Sequence, residues 1–121
     1  MGENLSISPL APIVLFAYNR PAHLEKVINN LKNNSLSSDS DLYIFIDGPK
    51  NARDSLLVKN VLDVTKNICG FKNVYVSASV INLGLSRSVI SGLDKIFTYF
   101  DSAIILEDDL IVSAFSRSVY A

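Results

Sequence analysis

Apolar and polar positions fall into alternating blocks along the chain. Pro12 to Ala17, PIVLFA, is an unbroken apolar run with β-branched residues, the pattern of a buried strand. Beyond it, Leu24, Val27, Ile28 and Leu31 recur at the i, i+3, i+4, i+7 spacing of one helical stripe. Arg20-Pro21 suits the first turn of that helix, where a proline forfeits no needed hydrogen bond. Asn33 to Ser40, NNSLSSDS, predicts a polar loop. Leu42 to Ile46 predicts a second strand, stopped by Asp47-Gly48-Pro49. Leu57, Val61, Val64 and Ile68 mark a second helix, with Gly70 as its stop. Val74 to Val80 reads as a third strand and Asn82-Leu83-Gly84 as a turn. Ser86 then caps a third helix carrying Val89, Leu93, Ile96, Phe97 and Phe100. Ala103 to Leu106 is a fourth strand that runs directly into three acids, Glu107, Asp108 and Asp109.

Strands alternating with helices predict a parallel sheet with right-handed crossovers, an α/β, Rossmann-like three-layer α/β/α arrangement. Ligands of such sheets bind beyond the carboxyl ends of the strands, where the strand order reverses. Every predicted strand here ends in polar residues: Tyr18, Asn19 and Arg20; Asp47 and Gly48; Asn82, Gly84, Ser86 and Arg87; and Glu107, Asp108 and Asp109. The fold would gather these four clusters on one rim.

A length of 121 residues suits one domain. Residues 1–10 read as a flexible tail and 11–121 as the domain. The hydrophobic fraction of 49% is high for a small soluble domain. It predicts a sheet covered on both faces, or a surface that meets something else. A net charge of −1 argues against nucleic acid or an anionic membrane as a bulk partner. Cys69 is the single cysteine, which excludes an intrachain disulfide and a cysteine metal site and fits a reducing, cytoplasmic setting. The N-terminus has no apolar core of signal-peptide length, and no run approaches a membrane span.

If extension continues through the acids, Glu107 and Asp109 share a face and Asp108 opposes them. Two carboxylates on one face make an oxygen site for Mg²⁺ or Mn²⁺, whose shell substrate phosphates commonly complete. Arg20 and Arg87 stand near helix N-termini, which favour anions. Acids for a metal and arginines for an anion together suggest a metal–nucleotide diphosphate. Each element also has a plainer reading. Acids at a strand end are commonly solvated, Asp-Gly-Pro is a common turn, lone arginines are commonly surface charges, and Tyr18 can simply pack. His23 reads as a first-turn surface residue, since no second His or Cys accompanies it as a metal ligand. The convergence of all four strand ends is what favours the functional reading.

At these residues the sequence resembles the nucleotide-sugar glycosyltransferases of the GT-A fold, family-2-like and N-acetylglucosaminyltransferase I types. The stretches that carry the resemblance are PIVLFAYNRPAHLEKVINNL, LYIFIDGPKN, VSASVINLGLSRSVISGLDKIF and AIILEDDLIVS, which in this order span about 100 of the 121 residues. ILEDDL is similar to that group's variant of the DxD metal motif. The resemblance implies a strand order 3-2-1-4 and transfer of a sugar from a UDP-sugar donor to an acceptor hydroxyl, on a carbohydrate or glycolipid, with Mn²⁺ or Mg²⁺. It implies that Arg20 lies near the uracil and ribose, that Tyr18 and Asn19 also belong to the nucleotide-sugar site, and that Asp47 accepts from the uracil N3–H. Asn82, Gly84 and Arg87 would border the nucleotide and diphosphate. Asp109 would bind the metal, while Glu107 and Asp108 reach the sugar, the ribose or metal-bound water. Enzymes of this fold continue well beyond their metal motif, whereas 12 residues follow Asp109 here and include no Asp, Glu or His. The expectation is therefore a donor-binding half whose isolated chain is catalytically silent and self-associates through an apolar edge. The alternative is a non-catalytic nucleotide-sugar binding or assembly module. A phosphoacceptor signalling domain fits less well, because its acid pair comes early in the chain and this cluster comes last.

Overall fold

A computed structural model describes residues 11–33 and 37–106, together with the backbone of 111–116. In chain order the elements are β1 (Ile13–Ala17), α1 (Pro21–Lys32), a short 3₁₀ turn (Ser37–Asp39), β2 (Asp41–Ile46), α2 (Ala52–Thr65), β3 (Asn73–Ala78), α3 (Leu85–Tyr99), β4 (Ser102–Leu106) and β5 (Ile111–Ser116). They form one sheet in the order β3-β2-β1-β4-β5. The first four strands are mutually parallel, and β5 returns antiparallel beside β4. The α/β class and the 3-2-1-4 order of the parallel strands are as expected; β5 was not anticipated.

The order dictates where the helices go. The chain moves outward from β1 through β2 to β3, then crosses back over β1 to reach β4 on its other side. Right-handed crossovers in opposite directions must lie on opposite faces of the sheet. Two separate cores record this. Ile13 and Leu15 of β1 and Leu42, Ile44 and Ile46 of β2 pack with Leu24 and Ile28 of α1 and Val58 and Val61 of α2. On the other face Val14, Ala103 and Ile105 pack with Leu93, Ile96 and Phe97 of α3, and Phe16 and Phe45 flank them. β1 is central and hydrophobic on both faces, which explains its unbroken apolar run.

Coverage is uneven. Among the described residues two helices cover one face and α3 alone covers the other, so β3 at the sheet edge is half-buried only at Val74 and exposed at every other residue. The expectation of a sheet covered on both faces therefore holds for β1 and not for β3. The hydrophobic fraction reappears partly as exposed side chains, including Tyr75, Val76 and Tyr99.

Some predicted boundaries move. The third strand ends at Ala78: Ser79 still donates its N–H to the Ile46 carbonyl at 2.8 Å, and Val80 lies beyond the paired residues. The second helix ends at Thr65 with Lys66 as its C-cap, so Ile68 and Gly70 lie in the connection to β3. Ser86 does not cap the third helix. Its N-cap is Gly84 at φ +85°, a left-handed conformation that an L side chain resists, and Ser86 lies within the first turn.

Gly92 shows how closely α3 approaches the sheet. A Cβ there would lie 2.8 Å from Phe16 Cε1 and 3.0 Å from Phe45 Cδ2, against two rings stacked with centroids 5.6 Å apart. Gly92→Ala therefore sets a helix-propensity gain of about 1 kcal/mol against overpacking of roughly 1–3 kcal/mol. The expected net effect is a lower urea midpoint with unchanged slope. A raised midpoint would show that the rings retreat freely.

Candidate functional site

A cleft of about 280 Å³ opens at the carboxyl edge of β1, near the lower end of the roughly 300–1,000 Å³ of small-ligand sites. Its walls come from the end of β1 and the following residues Tyr18, Asn19 and Arg20, from His23, Leu24 and Val27 of α1, from Asp47 and Lys50 after β2, and from Asn82, Gly84, Leu85 and Ser88 at the start of α3. This is the position where the strand order reverses, the expected ligand crevice of an open parallel sheet.

Asp47 organises one wall. It is 7% exposed, and a carboxylate withdrawn from water must find hydrogen bonds in the chain. Its Oδ1 accepts from the backbone N–H of Gly48 and of Leu83, both at 2.8 Å. Its Oδ2 accepts from the Gly84 N–H at 3.0 Å and the Asn82 Nδ2 at 3.2 Å. Two carboxylate oxygens offer about four acceptor positions, so the chain itself fills them. Asn82 Nδ2 also donates to the Gly48 carbonyl at 2.8 Å. Asp47, Asn82 and Gly84 thus form an internal clamp that holds the β3–α3 loop on the end of β2. The role of acceptor for a uracil N3–H would compete with that clamp.

Asp54 organises the other wall, and sequence reading missed it. It lies in the first turn of α2 and is buried. Its carboxylate accepts from the Tyr18 hydroxyl, from Asn19 Nδ2 at 2.9 Å and from the Lys50 N–H at 3.1 Å. Its own N–H donates to the side chain of Asn51, the N-cap of α2, at 2.9 Å. Asn51 thus caps the helix through Asp54, and the Asp54 carboxylate reaches back past the N-cap to Lys50, a variant of the capping box. The signal was present in KNARD, an Asx residue followed three positions later by an acid. The Tyr18 hydrogen bond, then those from Asn19 and Lys50, holds the Asp54 carboxyl below its ordinary 3.8. The same bond, with burial and the neighbouring charge, pushes the Tyr18 phenol above its ordinary 10.0.

Of the residues expected at the site, Tyr18, Asn19, Arg20, Asp47, Asn82 and Gly84 do line the cleft. Arg87 does not line it and is exposed on α3. At about 100° per residue, Gly84, Leu85 and Ser88 turn toward the cleft and Arg87 turns away. Glu107, Asp108 and Asp109 lie outside the described residues, between paired strand ends at Leu106 and Ile111. Among the described residues no group of three or more His, Cys, Asp or Glu is placed to hold a metal ion. Lys50 and His23 are cleft residues that the sequence pattern did not single out as such.

Helix caps differ around the cleft. The N-cap Asn51 of α2 makes a side-chain cap and Asp54 adds an acid to the first turn. Arg20 of α1 and Gly84 of α3 make no side-chain cap, and neither helix has an acid in its first turn. Both N-termini border the cleft, and their partial positive charge favours an anion.

No protein-family model matches the chain, and no curated protein and no solved structure matches it significantly.

Two outcomes test this account of the walls. Asp47→Asn turns an NH₂ toward two donors, leaving buried N–H groups unpaired at about 1–3 kcal/mol each. Stability should drop by roughly 2–4 kcal/mol in chemical denaturation, and affinity for any cleft ligand should fall with it. A variant as stable as the parent would show that the clamp is dispensable. The Tyr18–Asp54 pair makes stability fall at both pH extremes. The lowered Asp54 carboxyl contributes stability that is present above 3.8 and lost as pH falls through its folded value. The raised Tyr18 phenol contributes stability that is present below 10.0 and lost as pH rises through its folded value. Melting temperature followed against pH should therefore show an alkaline limb that is shallower in Tyr18→Phe; identical limbs would refute the pairing.

Proposed function

We propose that the chain binds a nucleotide sugar and is the donor-binding half of a GT-A-like glycosyltransferase, with the diphosphate seated in the cleft at the end of β1. The observation that carries this reading is the electrostatic character of that cleft. Arg20, His23 and Lys50 line it. The carboxylates of Asp47 and Asp54 are already engaged by donors of the chain. Two helix N-termini without side-chain caps add to the same positive side. The apolar part of the lining, Leu24, Val27 and Leu85, gives a base or sugar ring a surface to rest against. The parallel order β3-β2-β1-β4 agrees with the fold that the sequence resemblance implies.

In this reading Arg20 and Lys50 balance the phosphates, while Tyr18 and Asn19 form a wall held rigid by Asp54. Glu107, Asp108 and Asp109 follow β4 in the sequence and would hold Mn²⁺ or Mg²⁺. Such a cation would neutralise charge that develops on the leaving diphosphate. The acceptor hydroxyl, on a carbohydrate or glycolipid, belongs to the same proposal. Among the described residues no helix is long and apolar enough to cross a membrane.

Calorimetric titration with UDP in Mn²⁺ and then in EDTA tests the proposal. Binding is expected in Mn²⁺ and should weaken at least tenfold, about 1.4 kcal/mol, in EDTA. At a hundredfold excess over Kd the ligand should stabilise the fold by roughly 2.7 kcal/mol. Equal affinity in both buffers would remove the metal, and no binding in either would remove the nucleotide.

A further inference from the structure

We propose that β3 is a dimerisation edge, where a second copy of this chain adds its own β3 antiparallel and joins the two sheets about a two-fold axis at Tyr75. Dimerisation here is independent of what the cleft binds. β3 ends the sheet, with β2 as its single strand neighbour among the described residues. Residues 73–78, NVYVSA, contain no charge and no proline. Six consecutive pairs join β3 to β2 with no register shift. Native edges are commonly guarded against strand addition by charges, prolines or bulges, and this one carries none of them. The pairing at the other side of the sheet differs, since β4 and β5 shift register between Ile105 and Leu106. No helix shelters the β3 edge, and five of its six residues are exposed. Seven of the eight large hydrophobic side chains exposed among the described residues fall between Tyr75 and Tyr99, so the apolar surface gathers on β3, α3 and their link.

The pattern of the strand selects a second copy as the occupant. Ser79 donates its N–H to the Ile46 carbonyl at 2.8 Å. By strand alternation Asn73, Tyr75 and Ser77 then bond toward β2, while Val74, Val76 and Ala78 turn their N–H and C=O groups outward. Antiparallel pairing about Tyr75 sets Val74 against the partner's Val76 as a hydrogen-bonded pair, and the reverse. Tyr75 meets the partner's Tyr75 in a non-hydrogen-bonded pair, where side chains come closest. Tyr75 is 47% exposed and stacks on Tyr43 with ring centroids 4.7 Å apart, so the dimer continues that stack across the axis. Ser77 faces the partner's Asn73, and Lys72 faces the partner's Ala78. No like charges are opposed, as a self-complementary interface requires. A six-residue edge about 20 Å long, with side chains on both faces, gives each copy roughly 500–600 Å² of contact, the low end for specific interfaces. The dimer is therefore a weak one.

Analytical ultracentrifugation of the full chain without nucleotide should show a monomer–dimer equilibrium with a Kd on the order of 10 μM. Tyr75→Lys and Tyr75→Glu each oppose like charges at the axis and should weaken dimerisation at least tenfold. An equimolar mixture of the two should dimerise again, because residue 75 faces itself. Circular dichroism and urea unfolding establish that both variants are folded. A second measurement does not depend on those charges. In a Cys69→Ser background, Tyr75→Cys should give a covalent dimer on mild oxidation, since Cα atoms of such a pair lie about 4.5 Å apart, within disulfide reach. A parent chain that stays monomeric to about 1 mM would overturn the proposal. So would a dimer that both charge variants leave intact and that Tyr75→Cys fails to cross-link. Either result leaves the nucleotide-sugar reading standing.

Discussion

The fold of the rim depends on one buried carboxylate. Asp47 stands where β2 leaves the sheet, with little of its surface open to water. A carboxylate in that position is stable only if the chain supplies its donors. Most of those donors come from residues 82–84, far along the chain, so satisfying Asp47 draws the β3–α3 loop back across the end of β2. That placement sets where α3 begins. The start of α3 in turn sets its passage over β1, where Gly92 lets it settle against Phe16 and Phe45. One requirement of charge burial thereby fixes the crossover that carries the chain from the β3 side of the sheet to β4. That crossover spans the reversal of strand order at which the cleft opens.

Asp54 repeats this logic on the other wall. It gathers Tyr18 and Asn19 from the end of β1 and Lys50 from the end of β2. Both acids bind loops of their own chain, and each thereby spends its acceptor capacity. The consequence for chemistry is indirect. A rim that contains carboxylates nevertheless presents Arg20, His23 and Lys50 to its cleft. Counting charges along the sequence calls this edge mixed, whereas counting hydrogen bonds shows that donors of the chain already engage both acids.

The parallel sheet and its order were legible because β1, β2 and β4 are apolar on both faces, and because the helix stripes between them are regular. β3 was legible as a strand but not as an exposed one. Its alternation is weak, and exposure at a sheet edge depends on how many helices cover each face. β5 was not anticipated, because three acids before it read as the end of the apolar pattern rather than as the link to a returning strand. Tyr18, Asn19, Arg20, Asp47, Asn82 and Gly84, which their positions beyond the strand ends assign to the rim, all line the cleft. Arg87, expected at the rim, does not line the cleft. It does lie in the first turn of α3, but on the side away from the cleft, a direction that its place in the sequence does not reveal. Asp54 escaped notice because an acid three residues after an Asx looks like routine helix capping. Its second task, holding Tyr18 and Asn19, involves contacts 35 and 36 residues away in sequence.

The difference between α2 and its neighbours ties these threads together. All three helices start at the same edge of the sheet, since each follows the carboxyl end of a strand. α2 closes its own N-terminus with Asn51 and Asp54, and that closure also locks the loop after β1. α1 and α3 start on opposite faces of the sheet and leave their first turns without side-chain caps. Their fields therefore add at the one point between them, the end of β1. Because hydrogen bonds to Asp47 and Asp54 already hold the surrounding loops, these groups need little rearrangement when an anion arrives. Ordering costs of that kind otherwise oppose binding. The two acids that look wrongly placed for binding an anion are, on this argument, what makes the cleft ready for one.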